Sequence, residues 1–253
     1  EEYFKLGIPY RPIDPRVIGR ELTEYEECDV IFVPSRFVQR SFIERGIAEE
    51  KLRVVPYGVD LEMFRPARKD DKVFRIIYVG EISVRKGIHY LLEAAARFSE
   101  TEVEVWLIGA ALPEAQALLK RHAGRFRHFG VIPRAELYRY YSQGSVFVIA
   151  SIEEGLALVQ AQAMACGLPV IATTNTGAED LFSDGVEGFV VPIRDADAIA
   201  ERIARLLSRP DDREMMAQAA LKRVAAIGGW DSYGHKVLSA YASGLTSKAQ
   251  ENV

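Results

Sequence analysis

Two stretches of this chain carry residue types that could hold and stabilise a phosphorylated ligand. In Ser151-Ile-Glu-Glu-Gly-Leu-Ala-Leu-Val-Gln-Ala-Gln-Ala-Met-Ala-Cys-Gly167, two glutamates and a glycine separate the apolar run 146–150 from a segment of strong helix formers. A glycine at 155 allows a tight turn and the approach of a ligand to the first amides of the helix, those of Gly155, Leu156 and Ala157. Such amides have no intrahelical partners and carry the positive end of the helix dipole, so they can hold a phosphate. In Gly80-Glu-Ile-Ser-Val-Arg-Lys-Gly87, Arg85 and Lys86 place two cations on a loop after a second apolar run, 74–79. A departing diphosphate accumulates negative charge, and positioned cations and amides stabilise it. A carboxylate at Glu154 would be repelled by that anion unless it served another partner, such as a sugar hydroxyl. Glu153 is assigned the helix start, where the dipole favours an acidic residue by about 0.3–1 kcal/mol.

These stretches resemble the signature of family 4 glycosyltransferases, which use nucleotide sugars and have the GT-B fold. The family motif is a glutamate before Gly, seven residues, then a second glutamate ahead of Ala-Met-Ala-x-Gly-x-Pro-Val. Here Glu154 and Ala163-Met-Ala-Cys-Gly-Leu-Pro-Val170 match it, and Gln162 stands at the second acidic position. Gly80, Lys86 and Gly87 match the family's Gly-Arg-…-Lys-Gly loop, with Glu81 at the arginine position and Arg85 as a second cation. The resemblance implies sugar transfer, with retention, from a nucleotide diphosphate such as UDP or GDP to an acceptor hydroxyl of a glycan, lipid or small molecule, as in polysaccharide biosynthesis. It makes Glu154 and Lys86 the catalytic pair and Arg85, Gly80, Gly155, Leu156 and Ala157 donor-binding. Gln162 would hold the ribose through one carbonyl acceptor and two amide donors. Val131 and Ile132 lie where the family's nucleobase meets the backbone. No cofactor and no metal are implied.

The elements that must position these residues alternate. Strands are expected at 29–34, 52–55, 74–79, 103–108, 125–129, 146–150, 169–172 and 188–191. Helices are expected at 21–28, 36–45, 88–98, 114–122, 135–142, 178–182, 196–207, 212–227 and 233–241, with a central helix after Gly155. Residues 1–20, rich in Pro and Arg, read as a loop, and only the last few residues read as disordered. Ser35 is a plausible N-cap for the helix after it. The expectation is an α/β fold of GT-B type: a Rossmann-like, doubly wound parallel sheet with only a remnant of the second domain. The division is 1–70 for the end of the acceptor-side domain and linker, 71–228 for the donor-binding domain, and 229–253 for a carboxy-terminal helix and tail. Most of an acceptor domain would lie upstream of Glu1, or in a second chain.

Other motifs have plainer explanations. Asp195-Ala-Asp197 looks like a metal-binding Asp-x-Asp, but it precedes a helix-forming run and fits a cap better. Thr173-Thr-Asn-Thr-Gly-Ala-Glu-Asp180 resembles the family's loop ending in Gly-x-x-Glu, and it either lines the site or caps the short helix at 178–182 through Thr176. His89, His122, His128 and His235 have no metal-ligand spacing, and neither P-loop nor nucleophile elbow is present. An oxidoreductase would need Gly-x-Gly-x-x-Gly, which neither Gly80-Glu-Ile nor Gly109-Ala-Ala supplies. Cys28 and Cys166 read as reduced core residues of a cytoplasmic protein, one that could sit peripherally at the inner face of a membrane. With 253 residues and a net charge of −4, the chain has a sizeable core and no basic stripe for nucleic acid. The alternative reading is a non-catalytic or partner-dependent nucleotide-sugar-binding module.

Overall fold

The computed structural model describes residues 1–10 and 12–251, with side chains described to residue 242. The elements in order are α1 (Glu2–Lys5), α2 (Pro15–Glu27), β1 (Ile31–Val33), α3 (Arg36–Ile43), β2 (Leu52–Val54), β3 (Phe74–Val79) and α4 (Ile88–Ala95). Then come β4 (Val103–Ile108), α5 (Gln116–Arg121), β5 (Arg127–His128), α6 (Leu137–Ser142), β6 (Val146–Ile149) and α7 (Leu158–Ala165). The last are β7 (Val170–Thr173), α8 (Ala178–Leu181), β8 (Gly188–Val191), α9 (Ala196–Ser208), α10 (Pro210–Ile227) and α11 (Trp230–Glu251).

Six strands form one parallel sheet in the order β5-β4-β3-β6-β7-β8. Strands β3, β6 and β7 are buried along their whole length, as a sheet covered on both faces requires. Successive side chains alternate between two cores. Ile76, Tyr78 and Val148 join α4 and α9 on one face; Ile77, Val79, Phe147 and Ile149 join α7 and α10 on the other. The chain runs outward from β3 to one sheet edge, then restarts at β6 and runs to the opposite edge. The β3–β6 seam is therefore the topological switch point, and the crevice beyond its carboxyl ends is where such sheets bind ligands.

A second, two-stranded parallel sheet pairs β1 with β2, Ile31 opposite Leu52. Helix α11 returns to it: the rings of Phe32 and Tyr241 lie 5.0 Å apart, and those of Tyr57 and Trp230 6.3 Å. Gly228, with φ of 87°, ends α10 and allows the turn into α11.

Several expectations are corrected. Residues 1–20 are a loop only in part: 8–10 and 12–14 carry no regular structure, but α1 precedes them and α2 begins at Pro15, where Asp14 accepts the Arg16 N–H and Pro occupies the first turn. Arg11 of that run, like the last two residues, lies outside the described residues, and the end expected to be disordered is helical through Glu251. Cys28 is exposed, whereas Cys166 is buried. Thr176 does not cap α8; its hydroxyl donates to the Thr173 carbonyl, and Gly177 occupies the cap position. Asp195 does cap α9, accepting the Ala198 N–H at 2.8 Å. Among the described residues no helix is long and apolar enough to cross a membrane.

Candidate functional site at the switch point

The loops after β3 and β6 enclose a cavity of about 370 Å³, lined among others by Gly80, Arg85, Lys86, Glu154, Leu156 and Ala157. Gly87 brings the first loop close to the second. Its φ of 62° is left-handed, and a β-carbon there would overlap the carbonyl oxygen of Ala150 at the end of β6. The Ile152 N–H then donates to the Arg85 carbonyl at 2.9 Å, tying the two loops together.

The charges converge. The Lys86 ammonium is in direct ion contact with the Glu154 carboxylate, with 14% and 21% of the two side chains exposed. Arg85 lies 3.7 Å from both Glu153 and Glu154 and donates to the Glu153 carbonyl at 3.1 Å. Burial first, then the Arg85 guanidinium, pulls the Lys86 ammonium down to about 8, while Glu81 and Glu153 oppose the shift. Sequence separates Lys86 from Glu154, but the parallel sheet brings adjacent strand ends onto one rim.

Six of the ten expected site residues therefore line the cavity: Gly80, Arg85, Lys86, Glu154, Leu156 and Ala157. Gly155, Gln162, Val131 and Ile132 do not. Gly155 is small for another reason: a β-carbon would stand 3.2 Å from Val38 Cγ2, so the residue lets α3 pack against the loop. Helix α7 also starts later than expected, at Leu158, and the Ala157 N–H donates to the Thr176 carbonyl at 3.4 Å. Glu153 lies outside the helix and pairs with Arg85 instead of serving a helix start. Gln162 faces α6, where its amide oxygen accepts the hydroxyl of buried Tyr141 at 3.1 Å. Val131 is exposed and Ile132 is partly buried against the core.

The sequence reading missed Tyr78, Val79, Ile149, Leu158 and Val159 as lining residues. The first three are strand ends whose rim position follows from strand order, and the last two follow from the late helix start. It also missed Ser35 as a contact of the Glu154 loop. A larger hollow of about 620 Å³ lies between β2 and α11, beside Arg53, His235 and Lys236. The Arg53 guanidinium there is turned onto the carbonyls of Glu50 and Leu52, at 2.6 and 3.0 Å.

Comparison with known proteins agrees with this layout. Residues 60–223 match the family model of glycosyl transferases group 1. A D-inositol 3-phosphate glycosyltransferase of Kribbella flavida is 33% identical over 231 residues, covering 81% of this chain and 54% of that protein. The solved sucrose-phosphate synthase of Thermosynechococcus elongatus superposes with a TM-score of 0.82 at 25% identity, covering 97% of this chain and 66% of that one. HepE of Anabaena, solved with UDP-glucose, shares the fold with a TM-score of 0.77 at 20% identity, over 85% of this chain and 64% of that one. The chain thus spans about half to two-thirds of the length of these proteins. With its Rossmann-like sheet of GT-B type and its matched core, it belongs to the glycosyl transferases of group 1.

Proposed function

We propose that this chain is the donor-binding part of a retaining glycosyltransferase of family 4, one that moves a hexosyl unit from a nucleotide diphosphate to an acceptor hydroxyl. The observation that carries the reading is the convergence of Lys86, Arg85 and Glu154 on one cavity at the switch point. Lys86 neutralises the leaving diphosphate, assisted by Arg85 and by amides at the approach to α7. Glu154, released from Lys86, accepts a hydroxyl of the transferred sugar. Gln162 serves the ribose through its amide group, and the backbone at Val131 and Ile132 lies toward the nucleobase.

Residues 71–228 form the donor-binding unit on this reading, residues 1–70 the end of an acceptor-side unit, and residues 229–253 the helix that returns to it. The upstream part of that unit, in this polypeptide or in a second chain, completes the cleft that orients the acceptor and excludes water. HepE, solved with UDP-glucose, makes UDP-glucose the first donor to test. The name of the Kribbella relative makes a phosphorylated cyclitol a first acceptor to test, beside glycans and lipids. The site of action is the cytoplasm or the inner face of a membrane.

Isothermal titration with UDP-glucose and a GDP-sugar tests the reading. Micromolar to millimolar binding that weakens in Lys86→Ala is expected. No binding of either nucleotide, or unchanged binding in the variant, overturns it. Gln162 at the family's acidic position favours the second reading, a partner-dependent binding module; donor binding without turnover in a chain supplied with its upstream part would select it.

A further inference from the structure

We infer that Ser35, which belongs to the acceptor-side segment, is a positioning residue for the phosphate-facing backbone of the donor loop. Ser35 is fully buried. Its hydroxyl accepts the Val38 N–H at 3.2 Å, as the cap of α3, and donates to the Gly155 carbonyl at 2.6 Å. A single hydroxyl thus starts a helix of one unit and fixes a peptide plane of the other.

The orientation of that plane has a consequence. The Gly155–Leu156 peptide is trans, as are all peptide bonds among the described residues, so the Leu156 N–H points opposite to the Gly155 carbonyl. With the carbonyl held by Ser35, the Leu156 N–H is turned away from α3. Leu156 lines the cavity, yet its side chain lies toward Gly177, where a β-carbon would stand 2.7 Å from Leu156 Cδ1. On this inference the Leu156 N–H has the role of donor toward the cavity.

Neighbouring bonds leave this peptide little freedom. Glu154 N–H donates to the Asn175 carbonyl at 2.8 Å, and Ala157 N–H to the Thr176 carbonyl at 3.4 Å. Those two bonds hold the loop on its donor-domain side. Ser35 holds it on the other, backed by Pro34 and Val38, the side chains nearest to a β-carbon built on Gly155. The acceptor-side unit is thereby wired to the anion site: if α3 moves relative to the large sheet, the Gly155–Leu156 peptide is free to rotate.

The inference rests on the donor-site reading above, and the test separates the two. In wild-type protein labelled with ¹⁵N, the Leu156 amide resonance should shift when UDP is added and stay in place when uridine, which lacks the phosphates, is added. Ser35→Ala should raise the Kd for UDP about tenfold, the scale of one lost hydrogen bond to a charged group, with uridine binding unchanged. Arg40→Ala removes a 3.2 Å contact with Glu179 between the same two units but leaves the loop alone, so UDP affinity should not change. A Leu156 resonance unmoved by UDP overturns the inference, whether or not Ser35→Ala folds. So does equal loss of UDP and uridine in Ser35→Ala, or loss of UDP in Arg40→Ala. If wild-type protein binds neither UDP nor GDP, the donor-site reading itself falls, and the inference with it.

Discussion

Lys86 and Glu154 neutralise each other across the cavity, one from the loop after β3 and the other from the loop after β6. An incoming diphosphate must therefore compete with a carboxylate for the ammonium. Glu154→Gln removes that competitor while keeping the side chain's shape, so UDP should bind several-fold tighter. UDP-glucose should gain less, because the variant also lacks the carboxylate that would accept a sugar hydroxyl. Titration of both ligands against both proteins measures the ratio. A variant that loses UDP affinity would mean that Glu154 supports the diphosphate site instead of guarding it.

The lowered pKa of Lys86 makes the same site sensitive to pH. Its folded-state value of about 8 lies below that of an ordinary lysine, chiefly because of burial and next because of Arg85. The cation is present below that value and is lost as pH rises through it. UDP affinity should then be flat near pH 7 and fall several-fold by pH 9. Lys86→Arg keeps its charge throughout this range, so its profile should be flat. An identical fall in the variant would assign the effect to another group.

Gln162 has a structural duty beside the one assigned to it. Tyr141 is fully buried, and its hydroxyl donates to the Gln162 amide oxygen. Gln162→Leu would leave that hydroxyl unpaired and should cost about 1–3 kcal/mol in a denaturant melt. Gln162→Glu keeps an acceptor for Tyr141 and adds a second oxygen and a charge, so it should fold normally. If the position reaches the ribose, it should also tighten UDP binding by up to about tenfold. A Gln162→Glu protein with unchanged UDP affinity would confine the residue to its bond with Tyr141.

What could be read in advance was what local chemistry dictates. The apolar runs that became β3, β4 and β6, the cap at Asp195 and the cations of the loop at 80–87 all announce themselves within a few residues. Parallel order then carries Lys86 to Glu154, because only a switch point puts those two loops side by side. Long-range bonds are a different matter. Glu154 and Ala157 give their amides to residues 175 and 176, which delays the start of α7 in a way that propensity does not show. Gly155 looks like a phosphate-loop glycine, but the steric reason for it is Val38, brought in from α3, more than a hundred residues earlier in the chain. The Pro-rich run is irregular up to Asp14, but the helix after it is hidden, because Pro15 at a helix start pre-sets φ and needs no N–H partner.

Asp180 offers a stability test of the contact between α3 and α8. Its carboxylate accepts the Arg36 N–H at 2.8 Å, and the side chain is only 7% exposed. Burial raises its pKa, outweighing the Arg36 backbone bond and the Arg36 charge, which lower it. A carboxyl whose folded pKa is raised makes the protein less stable where it is ionised, and that cost is relieved as pH falls through the folded value. Asn keeps an acceptor for the Arg36 N–H without burying a charge. The lost attraction to the Arg36 guanidinium, 3.6 Å away with 73% of its side chain exposed, matters little. Asp180→Asn should therefore be more stable than wild type at pH 7, by up to about 1 kcal/mol, and the two should converge toward pH 3–4. Denaturant melts at both pH values measure the difference. A variant less stable than wild type at pH 7 would show that the Asp180 charge, through Arg36 and Arg40, holds α3 in place.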